Sequence, residues 1–181
     1  GGPLAKRIAD EAGGRPAFIV DPVVVDELIE EVRLSGIPEI ERRSVFHALN
    51  QKAVARRASS ELGKPYDEAD LIVAHMGGGI SVGAHRGGKV IDVNNALDGE
   101  GPFAPERAGS LPAGELVKYV FSTGIKLEDL EKKMVGGGGL VAHLGTNDLR
   151  EVEKRMAGGD EKARLVFEAM AYQVAREICC R

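Results

Sequence analysis

The sequence predicts an α/β fold, because three short strand patterns follow one another between segments that have helical periodicity. The strand patterns are a continuous apolar run at 71–74, an alternating run at 80–84 and a third run at 90–93. Glycines at 77–79 and 87–88 separate these runs, and short glycine turns are typical of an antiparallel meander. We therefore expect a meander at the centre of the chain, with helices on both sides.

Apolar residues at helical spacing predict helices before and after the meander. The expected helices are 3–12, 23–34, 41–62, 112–122, 127–133, 149–156 and a last helix that Asp160 caps. In the third of these helices, Val45, Leu49 and Ala53 repeat every four residues and are expected to face the core. The last helix has a longer apolar stripe, from Val166 to Ile178, which is also expected to be core.

The segment before the third helix contains a candidate ligand position. Residues 17–20 predict a short strand that ends at Asp21, because a residue before proline is held extended. Asp21 would then lie at the carboxyl end of a strand, where open α/β sheets place ligands. The alternative is an aspartate in a simple turn. The carboxylates between Asp26 and Glu31 are expected to form a solvated helix face.

Composition and charge limit the classes of partner. The chain has 181 residues and a formal net charge of −4 without a long basic run, which argues against nucleic acid or an anionic membrane as the main partner. Aromatic residues make up 4%, so stacking platforms for single-stranded nucleic acid are not expected. No apolar run reaches membrane-spanning length. The only cysteines, Cys179 and Cys180, are adjacent in the sequence. Adjacent cysteines rarely form a structural disulfide, so we expect a protein of the reducing cytoplasm.

Three features are candidates for binding an anion. The turn Gly77–Gly79 has no Cβ atoms, so its backbone N–H groups could approach a phosphate closely. His47 lies near the start of a predicted helix, and Arg107 presents a planar fork of donors in a long loop. Each feature also has an ordinary interpretation, namely a simple glycine turn, a packed or surface histidine, and a surface arginine.

Five segments together resemble the acetate and butyrate kinase family, which belongs to the acetate and sugar kinase, Hsp70 and actin superfamily. The segments are Phe18–Glu27, Phe46–Asn50, Ala74–Val82, Pro105–Gly109 and Gly145–Arg150. Their order and spacing are most similar to the butyrate kinase branch. The resemblance implies an incomplete actin-like ATPase (ribonuclease H-like) fold, in which a mixed sheet includes the meander. Residues 1–34 would be the end of the first lobe and the crossover, and 35–181 would be most of the second lobe.

In that family, ATP phosphorylates a short-chain carboxylate to an acyl phosphate. The resemblance implies that Asp21 is the catalytic aspartate and holds Mg²⁺ through water. It also implies that His47 and Arg107 stabilise the transferring phosphoryl group, whose charge must be met by preorganised donors. The residues implied to bind the nucleotide are His75, Met76, Gly77, Gly78 and Gly79 in the first hairpin, and Asp148, Leu149 and Arg150 at a helix start.

The glycine turn also bears on the identity of the acid. Acetate kinases carry an asparagine in the middle of the glycine turn, whereas this chain has Gly78, as the butyrate branch does. Butyrate or a related short or branched-chain acid is therefore the expected substrate. Two alternatives stay open: an acetate or propionate kinase, and a non-catalytic nucleotide-binding or interaction module of the same fold.

Several parts of the family pattern are absent from the sequence. They include the first phosphate loop, the first substrate arginine, the adenosine motif and a later magnesium-binding glutamate. We therefore expect this chain alone to bind ATP poorly and to be inactive. A homo-oligomer is expected as well, because the family dimerises through the second lobe.

Overall fold

A computed structural model describes residues 1–181, and its centre is a three-stranded antiparallel sheet. The strands β1 (Leu71–Met76), β2 (Ile80–Arg86) and β3 (Lys89–Val93) are adjacent in chain order. Met76 pairs with Ile80 across the first hairpin, and the register between β2 and β3 shifts once, between Ala84 and His85. The predicted meander is therefore confirmed.

Helices surround the sheet, as predicted for an α/β fold. They are α1 (Gly2–Glu11), α2 (Glu30–Arg33), α3 (Ala48–Glu61), α4 (Ala113–Thr123), α5 (Leu127–Met134), α6 (Gly139–Leu144), α7 (Leu149–Ala157) and α8 (Glu161–Cys179), with a 3₁₀ turn at Tyr66–Glu68. None of these helices combines the length and the apolar character needed to cross a membrane.

The main core lies between β2 and the helices that follow the sheet. Its buried members are Ile80, Val82, Phe103, Ala104, Leu140, Val152, Ala163, Val166, Met170 and Val174. The stripe on α8 contributes the last of these residues, so the predicted core face of that helix is confirmed over most of its length. The carboxylate of Asp160 accepts a hydrogen bond from the Ala163 N–H and thus caps α8 as expected.

The structure corrects two expectations for the first part of the chain. Residues 17–20 form no strand, and Phe18 is 81% exposed, because no neighbouring strand pairs with their backbone. The helix expected at 23–34 is reduced to α2, since the preceding residues run beside the sheet, where the Ile29 N–H donates to the Ile91 carbonyl. Leu28 is buried there in a second, smaller core cluster.

Helix α3 starts later than predicted and buries a different face. Residue Arg42, expected to be helical, instead lies in an extended segment, where its guanidinium donates to Asp92 and Glu100. Leu49, expected in the core, is 57% exposed. The buried residues of α3 are Ala48, Gln51, Lys52, Ala55 and Ser59. The helix therefore packs a partly polar face on the sheet, because these polar groups find partners there.

One of the carboxylates expected on a solvated face belongs to this polar layer. Glu27 accepts hydrogen bonds from Lys52 Nζ and from the backbone N–H of Val90. This carboxylate joins the segment before α2 to both α3 and β3, so the solvated assignment is wrong for Glu27. Asp26 is paired with Arg33 nearby.

A substitution at Leu140 tests the placement of the main core. It is 0% exposed, so Leu140→Ala should lower the free energy of unfolding by about 2–5 kcal/mol, measured by urea denaturation. The matched control is Leu165→Ala on α8, where the side chain is 67% exposed and little change is expected. Equal effects of the two substitutions would contradict this placement of the core.

Candidate functional site

The glycine turn between β1 and β2 leaves backbone donors free. The Gly77 N–H donates to the Gly79 carbonyl at 3.1 Å, and the Gly78 carbonyl accepts from the Glu106 N–H at 3.2 Å. The N–H groups of Gly78 and Gly79 donate to no acceptor in the chain. A turn with two unused N–H groups and no Cβ atoms is suited to an anion.

Two stacked imidazoles lie beside this turn. The rings of His47 and His75 are parallel within 10°, with centroids 3.8 Å apart. Nδ1 of His47 lies 2.9 Å from Ser81 Oγ, and Nδ1 of His75 lies 2.9 Å from Asn50 Oδ1. His47 is the N-cap residue of α3, so the start of this helix and the neighbouring strands position both rings.

Both imidazoles are neutral at pH 7. Burial lowers the pKa of His47 to about 4, helped by the repulsion that a protonated His75 and the charge of Arg107 would exert on a second positive ring. Burial also lowers the pKa of His75 below its usual value. Neutral rings avoid the repulsion that two stacked imidazolium groups would suffer, and each ring then has one N–H to donate.

Arg107 supplies a partly buried positive charge in the same place. Its Nη1 donates to the Ala96 carbonyl at 3.4 Å, and its Nε is buried without a hydrogen-bond partner. A buried donor without a partner costs free energy, and an anion would satisfy it. The loop that carries this arginine is held by a bridge to Val135 and by close packing on α6, where a Cβ on Gly139 would lie 1.6 Å from the Ala104 carbonyl oxygen.

The hydrogen-bond and ion-pair partners of Asp21 are outside this group. Its carboxylate accepts from Arg56 Nη1 at 3.0 Å and lies 3.8 Å from Lys52 Nζ, so two cations of α3 hold it. Its φ of 42° is not the extended conformation expected before a proline. No hydrogen bond or ion pair joins Asp21 to the two imidazoles, the Arg107 guanidinium or the glycine turn. Its role in catalysis stays a prediction.

The side chains of the chain form no cluster that would hold a magnesium ion directly. Asp21, the one residue predicted to hold the ion through water, is already paired with two cations. Moreover, no group of three or more His, Cys, Asp or Glu side chains is arranged to hold a metal.

The other residues predicted to bind the nucleotide line a cleft of about 830 Å³ next to the glycine turn. Met76, Gly77 and Gly78 line one side of it, and the segment Asp148–Arg150 lines another. Asp148 caps α7 by accepting from the Arg150 N–H, and the Arg150 guanidinium donates back to the same carboxylate. The floor of the cleft is the apolar face of α8. The glycine turn therefore lies between Arg107 and a largely apolar cleft.

Sequence reasoning missed the polar residues that support the site. Ser81 and Gln51 are buried next to His47, and Glu106 accepts from Asn147 and so ties the arginine loop to the start of α7. The signal for Ser81 is a polar residue at an inward position of a strand, whereas Gln51 lies outside the apolar repeat of its helix and gives no such signal.

The overall arrangement matches solved carboxylate kinases over part of their length. The acetate kinase of Porphyromonas gingivalis aligns with a TM-score of 0.76 at 26% identity, and a propionate kinase from Francisella tularensis subsp. tularensis SCHU S4 aligns with 0.75 at 26%. Each alignment covers 85% of this chain and 41% of the other chain. The acetate kinase of Entamoeba histolytica, at 19% identity and a TM-score of 0.71, agrees in fold.

These similarities define the class as the actin-like ATPase fold, so the fold class expected from the resemblance is confirmed. The sheet consists of the antiparallel meander alone, whereas a mixed sheet was expected, because no parallel strand pairs with β1 or β3. The model of the acetokinase family matches residues 36–180. The chain therefore belongs to the acetokinase family. It spans about two fifths of the length of the solved relatives.

Because the buried histidines are neutral, we expect the free energy of unfolding to decrease as the pH falls. In the unfolded chain a histidine has its usual pKa near 6.5, whereas His47 and His85 reach about 4 when folded. Above the usual pKa both states are neutral. As the pH falls from about 6.5 towards 4, the unfolded state binds protons that the folded state excludes, so the free energy of unfolding decreases.

Urea midpoints and an NMR titration of the histidine ring protons would measure this effect. His47→Gln should reduce the slope of the midpoint against pH, and His143→Gln, which changes an exposed histidine, is the control. Midpoints that stay constant between about pH 7 and about pH 5 would contradict the prediction.

Proposed function

We propose that this chain is part of an ATP-dependent carboxylate kinase, which transfers the γ-phosphoryl group to a short-chain acid and forms an acyl phosphate. The observation that carries the proposal is the unpaired Nε of Arg107, buried beside two neutral imidazoles and a turn with two free N–H groups. Membership of the acetokinase family supports it.

The geometry accounts for how such a site would assist the reaction. A transferring phosphoryl group spreads negative charge over its equatorial oxygens, and catalysis depends on positioning and on preorganised donors. Because His47 is neutral, Arg107 is the cation that meets this charge, and the imidazole contributes a directed hydrogen bond. The N–H groups of Gly78 and Gly79 would hold the nucleotide phosphates.

The apolar cleft is the proposed place for the rest of the nucleotide. ATP would extend from the glycine turn towards Asp148–Arg150, over the apolar face of α8. The resemblance implies Mg²⁺ as well, but the residues here do not build its site, so the mechanism has no step that depends on it.

For the acid, we propose butyrate or a related short or branched-chain fatty acid, from the resemblance of the Gly78 turn to the butyrate branch. The alternative is acetate or propionate, which the names of two similar solved kinases favour. The test compares kcat/KM for acetate, propionate, butyrate and isobutyrate. One methylene in an apolar pocket changes this ratio by roughly 10–200-fold, so the preference should be clear.

We also propose a cytoplasmic homo-oligomer. Val117 and Phe121 on α4 are exposed apolar side chains, and such residues are common at interfaces between copies. Light scattering coupled to size exclusion would give the mass in solution, and a monomer at micromolar concentration would contradict this part of the proposal.

Arg107→Gln should lower kcat for acyl phosphate formation by about 10²–10³-fold, because it removes the charge that meets the phosphoryl oxygens. The control is Arg57→Gln on α3, whose side chain is 82% exposed, with little change expected. Coupled assays of ADP formation should use both the 181-residue chain and the longest reading frame that contains it.

The assays of ADP formation distinguish the proposed kinase from a non-catalytic binding module. Unchanged turnover in Arg107→Gln would contradict the assigned role. Nucleotide binding by the longer protein without acyl phosphate formation, tested with every acid in the series, would favour a non-catalytic module. Turnover at a normal rate by the 181-residue chain alone would contradict the expectation that it is inactive.

A further inference from the structure

Buried polar side chains form a continuous chain of hydrogen bonds that ends at His47. Tyr66 Oη lies 2.8 Å from Nδ1 of His85, and Nε2 of His85 lies 3.1 Å from Oε1 of Gln51. The Gln51 Nε2 donates to Ser81 Oγ at 2.8 Å, and this oxygen lies 2.9 Å from His47 Nδ1. The chain thus connects the 3₁₀ turn, β2 and α3 to the candidate site.

A backbone carbonyl fixes the direction of this chain at Gln51. The Gln51 Nε2 also lies 3.0 Å from the Ser81 carbonyl oxygen, which can only accept a hydrogen bond. If the amide were turned over, two acceptor oxygens would face each other. The amide NH₂ must therefore face Ser81, and Oε1 must face His85.

The fold makes room for the amide in this orientation. Gln51 is fully buried, and a Cβ at Gly83 would lie 2.4 Å from its Oε1. No residue other than glycine fits at 83 without moving this oxygen. The amide is therefore fixed both by its hydrogen bonds and by the shape of the strand beside it.

The next step determines the state of His85. Because Oε1 of Gln51 only accepts, the hydrogen of His85 must be on Nε2, and Nδ1 then accepts from the Tyr66 hydroxyl. The charges agree with this assignment: burial lowers the pKa of His85 to about 4, and burial also raises the pKa of Tyr66 to about 12. The imidazole is neutral and the phenol keeps its hydrogen.

The same reasoning determines the state of His47. Ser81 is 0% exposed, and its hydroxyl has two side-chain partners, Gln51 and His47. It accepts from the amide of Gln51, and Nδ1 of His47 is the one other partner of this buried oxygen. If Nδ1 carried a hydrogen, the hydroxyl would accept twice and its own hydrogen would be buried without an acceptor, so the hydroxyl donates to Nδ1 of His47. A neutral imidazole that accepts at Nδ1 carries its hydrogen on Nε2.

We propose that Tyr66, His85, Gln51 and Ser81 are positioning residues that hold His47 as the Nε2–H tautomer. The Nε2 edge of His47 faces the glycine turn, 3.6 Å from the position of a Cβ on Gly79, and has no hydrogen-bond partner in the chain. It can therefore donate to an anionic oxygen at the turn. The opposite tautomer would present a lone pair there and repel that oxygen. The catalytic use of this donor rests on the proposed function, whereas the tautomer itself does not.

Nitrogen-15 NMR of the chain labelled at histidine tests the proposal without substrate. At pH 7 the long-range ring correlations should show the hydrogen on Nε2 in both His47 and His85. Their Nδ1 resonances should be shifted upfield from the position of a free acceptor nitrogen. An Nδ1–H tautomer at His47, or an even mixture of the two forms, would overturn the proposal, whatever the activity of the longer protein.

Single substitutions test each link. Ser81→Ala should move the Nδ1 resonance of His47 downfield to the free-acceptor position and leave His85 nearly unchanged, and Tyr66→Phe should do the reverse. The matched control is Ser59→Ala, which removes another buried hydroxyl, bonded only to the Ala55 carbonyl on α3. If Ser81→Ala leaves the His47 resonance in place, the link is wrong. If that variant does not fold, the tautomer in the unsubstituted chain still decides.

Discussion

The burial of polar side chains between α3 and the sheet is the constraint on which the rest of the site depends. A buried polar group must find a partner, so Gln51 and Ser81 can occupy this layer only in a few mutually consistent arrangements. The same layer holds the start of α3, and with it both stacked imidazoles, against the glycine turn. An apolar layer would pack as tightly but would not orient a ring.

The charged guanidinium of Arg107 and the two neutral imidazoles have different roles in the candidate site. Burial lowers the pKa of both imidazoles, and the charge of Arg107 adds to this effect at His47, so the positive charge beside the glycine turn is that of the guanidinium. Its unpaired Nε keeps part of its hydrogen-bonding capacity for a ligand.

Local sequence patterns predicted most of the helices and strands. The features that these patterns missed depend on contacts with residues that are distant in the sequence. The meander, the cap at Asp160 and the stripe on α8 each depend on residues close in sequence, so local patterns predicted them. The strand at 17–20 failed because pairing depends on a partner strand, which local sequence does not reveal. The family resemblance placed His47, Arg107 and the glycine turn in one site, whereas the contacts of Asp21 could not be foreseen, because they depend on how α3 is rotated.

The close approach of Gly83 to Gln51 has an evolutionary consequence. The two positions, one on β2 and one on α3, cannot vary independently, because any side chain at 83 displaces the amide. Homologues that have gained a larger residue at 83 should therefore have exchanged the glutamine for a group of different shape. Such paired substitutions would replace the buried side chain that joins His85 to Ser81 and would keep the orientation of His47.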